Sequence, residues 1–150
     1  MKVVFRPPTE SDVIEIAANM RAMDRLECEV MGEHTPERAL RMGIAHGQAV
    51  TAEINGRPVA MFGLAQASLL DDEGAPWLLG VEGMERHARV LVMHTRRYLD
   101  GMMEQCEALA NYVHADNRNA IRFLRWCGFS FGEAIEKGGH LFVRFEMRRA

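Results

Sequence analysis

The sequence predicts an α+β fold: one mixed, mostly antiparallel sheet flanked by helices, in a single domain over residues 1–150. Three observations predict it. Val50, Ala52 and Ile54 alternate with polar residues up to Asn55-Gly56, and Val59 and Met61 then open a second apolar run. Asn-Gly suits a type I′ turn, whose two central residues both need positive φ, so this segment reads as a hairpin. From Met84 to Ala110 the apolar residues recur at helical spacing. Lys137-Gly138-Gly139 then separates two β-like segments, Phe131–Ile135 and Leu141–Met147. Strands interleaved with helices in this way build a sheet covered by helices.

The elements follow in order. Val3 to Phe5 is a short strand halted by Pro7-Pro8, and Thr9-Glu10-Ser11-Asp12 supplies a capping-box signature ahead of Val13, Ile14, Ile16, Ala17 and Met20. A second helix begins after Thr35-Pro36, with proline in the permitted first turn, and carries Ala39, Leu40, Met42 and Ile44. Glu27 to His34 carries no clear pattern. After the hairpin, Leu69 to Gly74 is a polar, acidic connection and Trp77 to Val81 a strand. On the long helix, Ala88, Leu91, Val92, Thr95, Tyr98, Leu99, Met102, Met103, Cys106 and Leu109 share one face, which is core. A strand is expected over 111–115 and a helix from Asn117 to Cys127, closed by Gly128. No repeat or linker divides the chain.

Composition excludes several classes of function. With 18 basic and 21 acidic side chains the formal charge is −3, which argues against a nucleic-acid partner bound through a basic excess over the whole domain, though it allows a local basic patch. No apolar run is long enough to span a membrane or to serve as a signal peptide, so no membrane partner and a cytoplasmic location are expected. Cys28, Cys106 and Cys127 are far apart and odd in number, and read as reduced thiols. The histidines are scattered, with His87 and His94 seven positions apart, so no metal site is indicated.

The segment from Tyr112 to Phe129 contains Asn117-Arg118-Asn119-Ala120 and ends in Gly128-Phe129. A strand leading to Asn-x-x-Ala, a short helix and Gly-Phe resembles the late motif of the GNAT superfamily of acyl-coenzyme A N-acyltransferases. The element order agrees, so the resemblance covers almost the whole chain. It implies a GNAT-like domain that transfers an acetyl or acyl group from acyl-coenzyme A to an amine acceptor, with acetyl-CoA or CoA as the cofactor. Leu79, Gly80 and Val81 would then offer strand backbone to the pantetheine arm. Arg86 and Arg89 would hold phosphate, with guanidinium groups in place of a glycine cradle. Asn117 is a further cofactor candidate as well as a natural N-cap. Glu82 and His87 are the candidates for the base that takes a proton from the amine.

The chain departs from the family pattern at three positions. The family's loop after the central strand reads Arg/Gln-x-x-Gly-x-Gly/Ala, and with Arg86 as its first residue the small positions hold Arg89 and Leu91. Small residues there let backbone approach a pyrophosphate at a helix N-terminus. Where many members carry a tyrosine that protonates the leaving thiolate, this chain has Leu124.

A narrower resemblance rests on Asn111-Tyr112-Val113, Asn117 and Ile121-Arg122-Phe123-Leu124 behind a long charged helix without the glycine loop. It is similar to a family of small acetyltransferase-like proteins of tailed bacteriophages associated with virion assembly. That alternative implies a non-catalytic, virion-associated protein that forms a homo-oligomer or binds phage structural proteins. On the long helix, Arg86, Arg89, Arg96 and Arg97 precede Asp100, Glu104 and Glu107, an order that opposes the helix dipole. Pairing of Arg96 and Arg97 with Asp100 and Glu104 would make this a solvated face.

Overall fold

The computed structural model describes residues 1–66, 68 and 70–149. The chain forms two compact units, Met1–Ala65 with Trp77–Met84, and Gln66–Pro76 with Glu85–Ala150.

The first unit holds β1 (Val3–Arg6), α1 (Glu10–Ala18), α2 (Ala22–Val30), α3 (Pro36–Ala45), β2 (Ala49–Ile54), β3 (Arg57–Ala65) and the second half of β4 (Glu73–Gly80). β1 and β3 both pair antiparallel with β2, in registers that set Phe5 opposite Ala52 and Thr51 opposite Met61. The β2–β3 hairpin turns on Asn55 and Gly56 at φ 51° and 82°, as the Asn-Gly signal requires. Thr9 and Asp12 form the expected capping box on α1. Asp12 is buried and also receives both Nη groups of Arg6, at 2.7 and 2.8 Å, and the Thr51 hydroxyl at 3.0 Å. The core is Val13, Ile16, Ala17, Met20, Cys28, Leu40 and Met61, with Trp77, Leu79 and Val81 packed against it. Each large aliphatic side chain so buried contributes about 1.5–3 kcal/mol.

A helix that the sequence reading did not give, α2, runs into the unpatterned stretch and ends at Val30. α2 lacks any side-chain cap at Arg21, so the usual start signal is missing, and only Asp24 and Cys28 on it are fully buried. Three helices, not two, therefore precede the first hairpin.

The second unit holds the first half of β4, a 3₁₀ turn (Met84–His87, from Glu85 onward), α4 (Ala88–Gln105), β5 (Ala108–His114), α5 (Arg118–Cys127), β6 (Ser130–Lys137) and β7 (His140–Arg148). β5 and β6 lie on either side of β7, both antiparallel to it, whereas β4 pairs parallel to β5 through Glu73↔Ala108 and Gly74↔Leu109. An α+β fold on a mixed, mostly antiparallel sheet is thus present. Phe129 and Phe145 meet edge to face at 5.1 Å, and Leu91, Leu99, Leu109 and Phe142 are buried with them.

The long helix, β4 and β5 differ in their bounds from the sequence reading. The long helix starts at Ala88, after the 3₁₀ turn, and stops at Gln105 rather than Ala110, because the N–H groups of Glu107 and Ala108 both go to the Asp72 carbonyl and begin β5. Leu109 continued the helical spacing only because a buried strand residue happened to fall in phase. β4 begins at Glu73, inside the expected acidic connection, since backbone pairing to β5 needs no side-chain pattern there. Leu69, the first residue of that connection, lies outside the described residues.

Candidate functional site

Leu79, Gly80 and Val81 close β4 in the first unit. Val81 N–H donates to the Val59 carbonyl at 2.9 Å, on the β3 side. Gly80 faces the other way, and both of its backbone groups are taken. Its N–H donates to Asp24 Oδ2 at 2.8 Å, and its carbonyl accepts from Arg21 N–H at 2.9 Å. Met20 and Val81 add an antiparallel bridge.

The acceptor of the Gly80 N–H is firmly held. Arg21 grips the Asp24 carboxylate with Nε and Nη2, both at 2.9 Å, and the Asp24 side chain is 2% exposed. A fork of two parallel bonds fixes carboxylate orientation as well as charge. Coenzyme A is the cofactor this fold implies, and a pantetheine arm bonding to Gly80 would have to displace Asp24 and Arg21. As the chain stands, that strand edge does not fit the arm.

Glu82 also has a structural partner. Its Oε1 accepts the N–H of Ala22 at 3.0 Å and its own N–H donates to the Asn19 carbonyl at 2.9 Å. It thereby supplies from the β4 side the cap that Arg21 does not give α2. The opposite charges of Arg21 and Asp24 at i,i+3 are the sequence signal that could have marked this clip.

The remaining candidates lie in the second unit. His87 is the N-cap residue of α4 and makes no capping bond from its side chain. Arg89 is exposed in the first turn of α4, which holds no acid, and Arg86 is exposed in the 3₁₀ turn before it, next to Glu85. Leu91, at one of the family's small positions, is 1% exposed and faces the core, so Arg89 is the side chain left standing at the open helix end. Cations at a helix N-terminus are unfavourable unless an anion lies nearby. Arg96 does not pair with Asp100 as the charge order suggested; its guanidinium donates to the Trp126 carbonyl at the end of α5.

Asn117 is buried and caps α5, its Oδ1 accepting the Ala120 N–H at 3.3 Å. Just before it stands a pair that the sequence did not reveal. His114 Nδ1 accepts the Asp116 N–H at 3.0 Å, which places the His114 proton on Nε2, and this nitrogen lies 3.0 Å from His140 Nδ1. His114 therefore donates to His140, and its ring also meets Phe142 edge to face at 5.3 Å. Twenty-six positions separate the two histidines, so only the β5–β7 register brings them together.

All three cysteines are buried. Burial, reinforced by the carboxylates of Asp24, Glu27 and Glu29, pushes the Cys28 thiol up to about 12, and burial raises Cys106 and Cys127 as well. None is a thiolate at neutral pH.

Comparison with known proteins separates fold from sequence. The chain superposes on Ard1 from Thermoplasma volcanium with a TM-score of 0.74 at 15% identity, covering 99% of this chain and 98% of that one. A GNAT-family acetyltransferase from Streptococcus pneumoniae gives 0.66 at 14% identity, covering 99% and 100%. Spermidine N-acetyltransferase from Vibrio cholerae, solved with CoA and spermine, gives 0.67 at 13% identity, covering 97% and 95%. The fold is that of the GNAT acetyltransferases. At the level of sequence, residues 79–135 match the family described as "Bacteriophage T7, probable scaffold protein Gp13". No curated protein matches the chain. Among the described residues, no helix is long and apolar enough to cross a membrane.

Proposed function

We propose that this chain is a non-catalytic GNAT-fold protein that acts in the structure or assembly of a phage particle. The observation that carries this reading is the state of the Gly80 edge. Where an acyltransferase of this fold would offer strand backbone to its cofactor, Gly80 donates to Asp24 and accepts from Arg21. Three further features support it: Arg89 and buried Leu91 stand at the small positions, Leu124 replaces the family's tyrosine, and the phage scaffold family matches this same stretch. The partners in this reading are phage structural proteins or further copies of the chain, and the protein is virion-associated. Sedimentation velocity of the purified chain, alone and mixed with phage structural proteins, tests it. Association in either experiment is the expected result, and a strict monomer in both would overturn the reading.

A second reading is favoured by one observation, the exposed Arg86 and Arg89 around the start of α4, whose own first turn holds no acid. In it the chain is a cytoplasmic N-acyltransferase using acetyl-CoA, with Arg86 and Arg89 on the phosphates, Asn117 beside the cofactor, and Glu82 or His87 as base toward an unidentified amine. Glu82 would have to release the Ala22 N–H to serve as that base. Acetyl-CoA turnover in the presence of amines, lost in Arg86→Ala/Arg89→Ala, is the result that would establish it.

A further inference from the structure

The arginines of this protein differ in what neutralises them. Arg6, Arg21, Arg41, Arg57, Arg144 and Arg148 each form an ion pair with a carboxylate. Among the described residues, exposed Arg38 and Arg86 pair with no carboxylate, and neither do Arg89, Arg96, Arg97, Arg118, Arg122 and Arg125, six exposed arginines concentrated on the two helices of the second unit.

Their placement is regular. Arg118, Arg122 and Arg125 recur at i, i+4 and i+7 and so form one stripe of α5, about 10 Å long at the helical rise. Arg89, Met93 and Arg96 repeat the same spacing on α4. The bond from Arg96 to the Trp126 carbonyl joins the second stripe to the end of the first. α5 contains no acid, and none lies between Glu85 and Asp100. In the sequence, Asp116 precedes the one segment and Glu85 and Asp100 flank the other, so an overall charge of −3 conceals two acid-free arginine stretches. Arg118 is the first residue of its helix, where the helix dipole already disfavours a cation.

We infer that this arginine face binds the phosphate backbone of a nucleic acid. Like charges at i,i+3 and i,i+4 repel, and Arg118 opposes its helix dipole as well, so the arrangement lacks a counter-charge that an extended polyanion supplies. The face also lacks the apolar centre of a protein–protein interface, since its only exposed apolar side chains are Met93 and Trp126, 67% and 48% exposed. Interfaces with nucleic acid are more polar and more positively charged than those between proteins. Trp126 follows Arg125 in the chain, four positions after Arg122, and is exposed, so that it can stack on a base. The inference stands whichever reading of the cofactor region holds.

Fluorescence anisotropy with the full chain tests it, using a labelled duplex DNA of about 20 base pairs and a single strand of the same length over a range of salt. Binding at low salt should weaken linearly on logarithmic axes as salt rises. Arg118→Gln/Arg122→Gln/Arg125→Gln should lower the slope by about three, and Arg122→Gln alone by about one, should the triple variant fail to fold. Preference for the duplex or for the single strand identifies the source of the phosphates; preference for the strand predicts further weakening in Trp126→Ala. The inference is overturned if neither DNA binds at low salt, if the variants leave the slope unchanged, or if polyglutamate binds in place of both DNAs.

Discussion

Asp24 Oδ2 accepts the Gly80 N–H at 2.8 Å while the Arg21 guanidinium holds the same carboxylate, so the end of β4 is bonded by the start of α2. Removing one member of such a buried pair strands the other. Asp24→Ala leaves the Arg21 guanidinium and the Gly80 N–H without their shared acceptor and is expected to cost about 3–5 kcal/mol. Arg21→Met/Asp24→Asn removes both charges yet keeps an acceptor for Gly80, and should cost less than Asp24→Ala alone. Urea midpoints of the three proteins check the order.

Asp12 gives a pH dependence of definite sign. Burial alone would raise its pKa, but hydrogen bonds from Arg6, the Thr9 N–H and Thr51 hold it below the ordinary aspartate value. A depressed native pKa means that the unfolded chain binds the proton more readily. Its contribution is therefore fully present above the unfolded value of about 3.9 and is lost as pH falls through the native one. Denaturation midpoints measured from neutral pH downward should converge for wild type and Asp12→Asn in acid.

Two glycines should respond oppositely to alanine. A Cβ at Gly63 would collide with the Gln48 carbonyl oxygen, which is backbone and fixed by the sheet, so Gly63→Ala is expected to lose about 1–3 kcal/mol. Gly101 lies within α4 with nothing within 4 Å of an added Cβ, so Gly101→Ala should gain about 0.5–1 kcal/mol. Thermal melts of the two variants report both signs.

Buried thiols with raised pKa values should not react in the native state. A chromogenic thiol reagent at mildly alkaline pH should modify none of Cys28, Cys106 and Cys127 until denaturant is added, and all three afterwards. Rapid labelling of the native chain would contradict the burial described above.

Much of this architecture was legible in the sequence because local chemistry specified it. Asn55-Gly56 fixed one hairpin, Thr9 with Asp12 fixed the start of α1, and Asn117 with Gly128 bounded α5, the glycine at φ 104°. What escaped was set by tertiary contacts. α2 begins without a cap of its own because Glu82 supplies one from far along the chain. The His114–His140 pair exists only through strand register. The opposite charges of Arg21 and Asp24 hinted at a pair, but nothing in their spacing announced Gly80 as the third partner. Arg89 and Leu91 were visible as departures from the glycine loop, but only the fold shows that one faces solvent and the other the core.

Calorimetric titration of the purified protein with acetyl-coenzyme A and, separately, with coenzyme A bears most directly on the closed Gly80 edge. No binding is expected even at ligand concentrations of about 1 mM, which would correspond to an interaction weaker than roughly 4 kcal/mol. Binding near 1 μM, equivalent to about 8 kcal/mol, that is weakened by Arg86→Ala/Arg89→Ala would contradict the non-catalytic reading and return the chain to the acyltransferases.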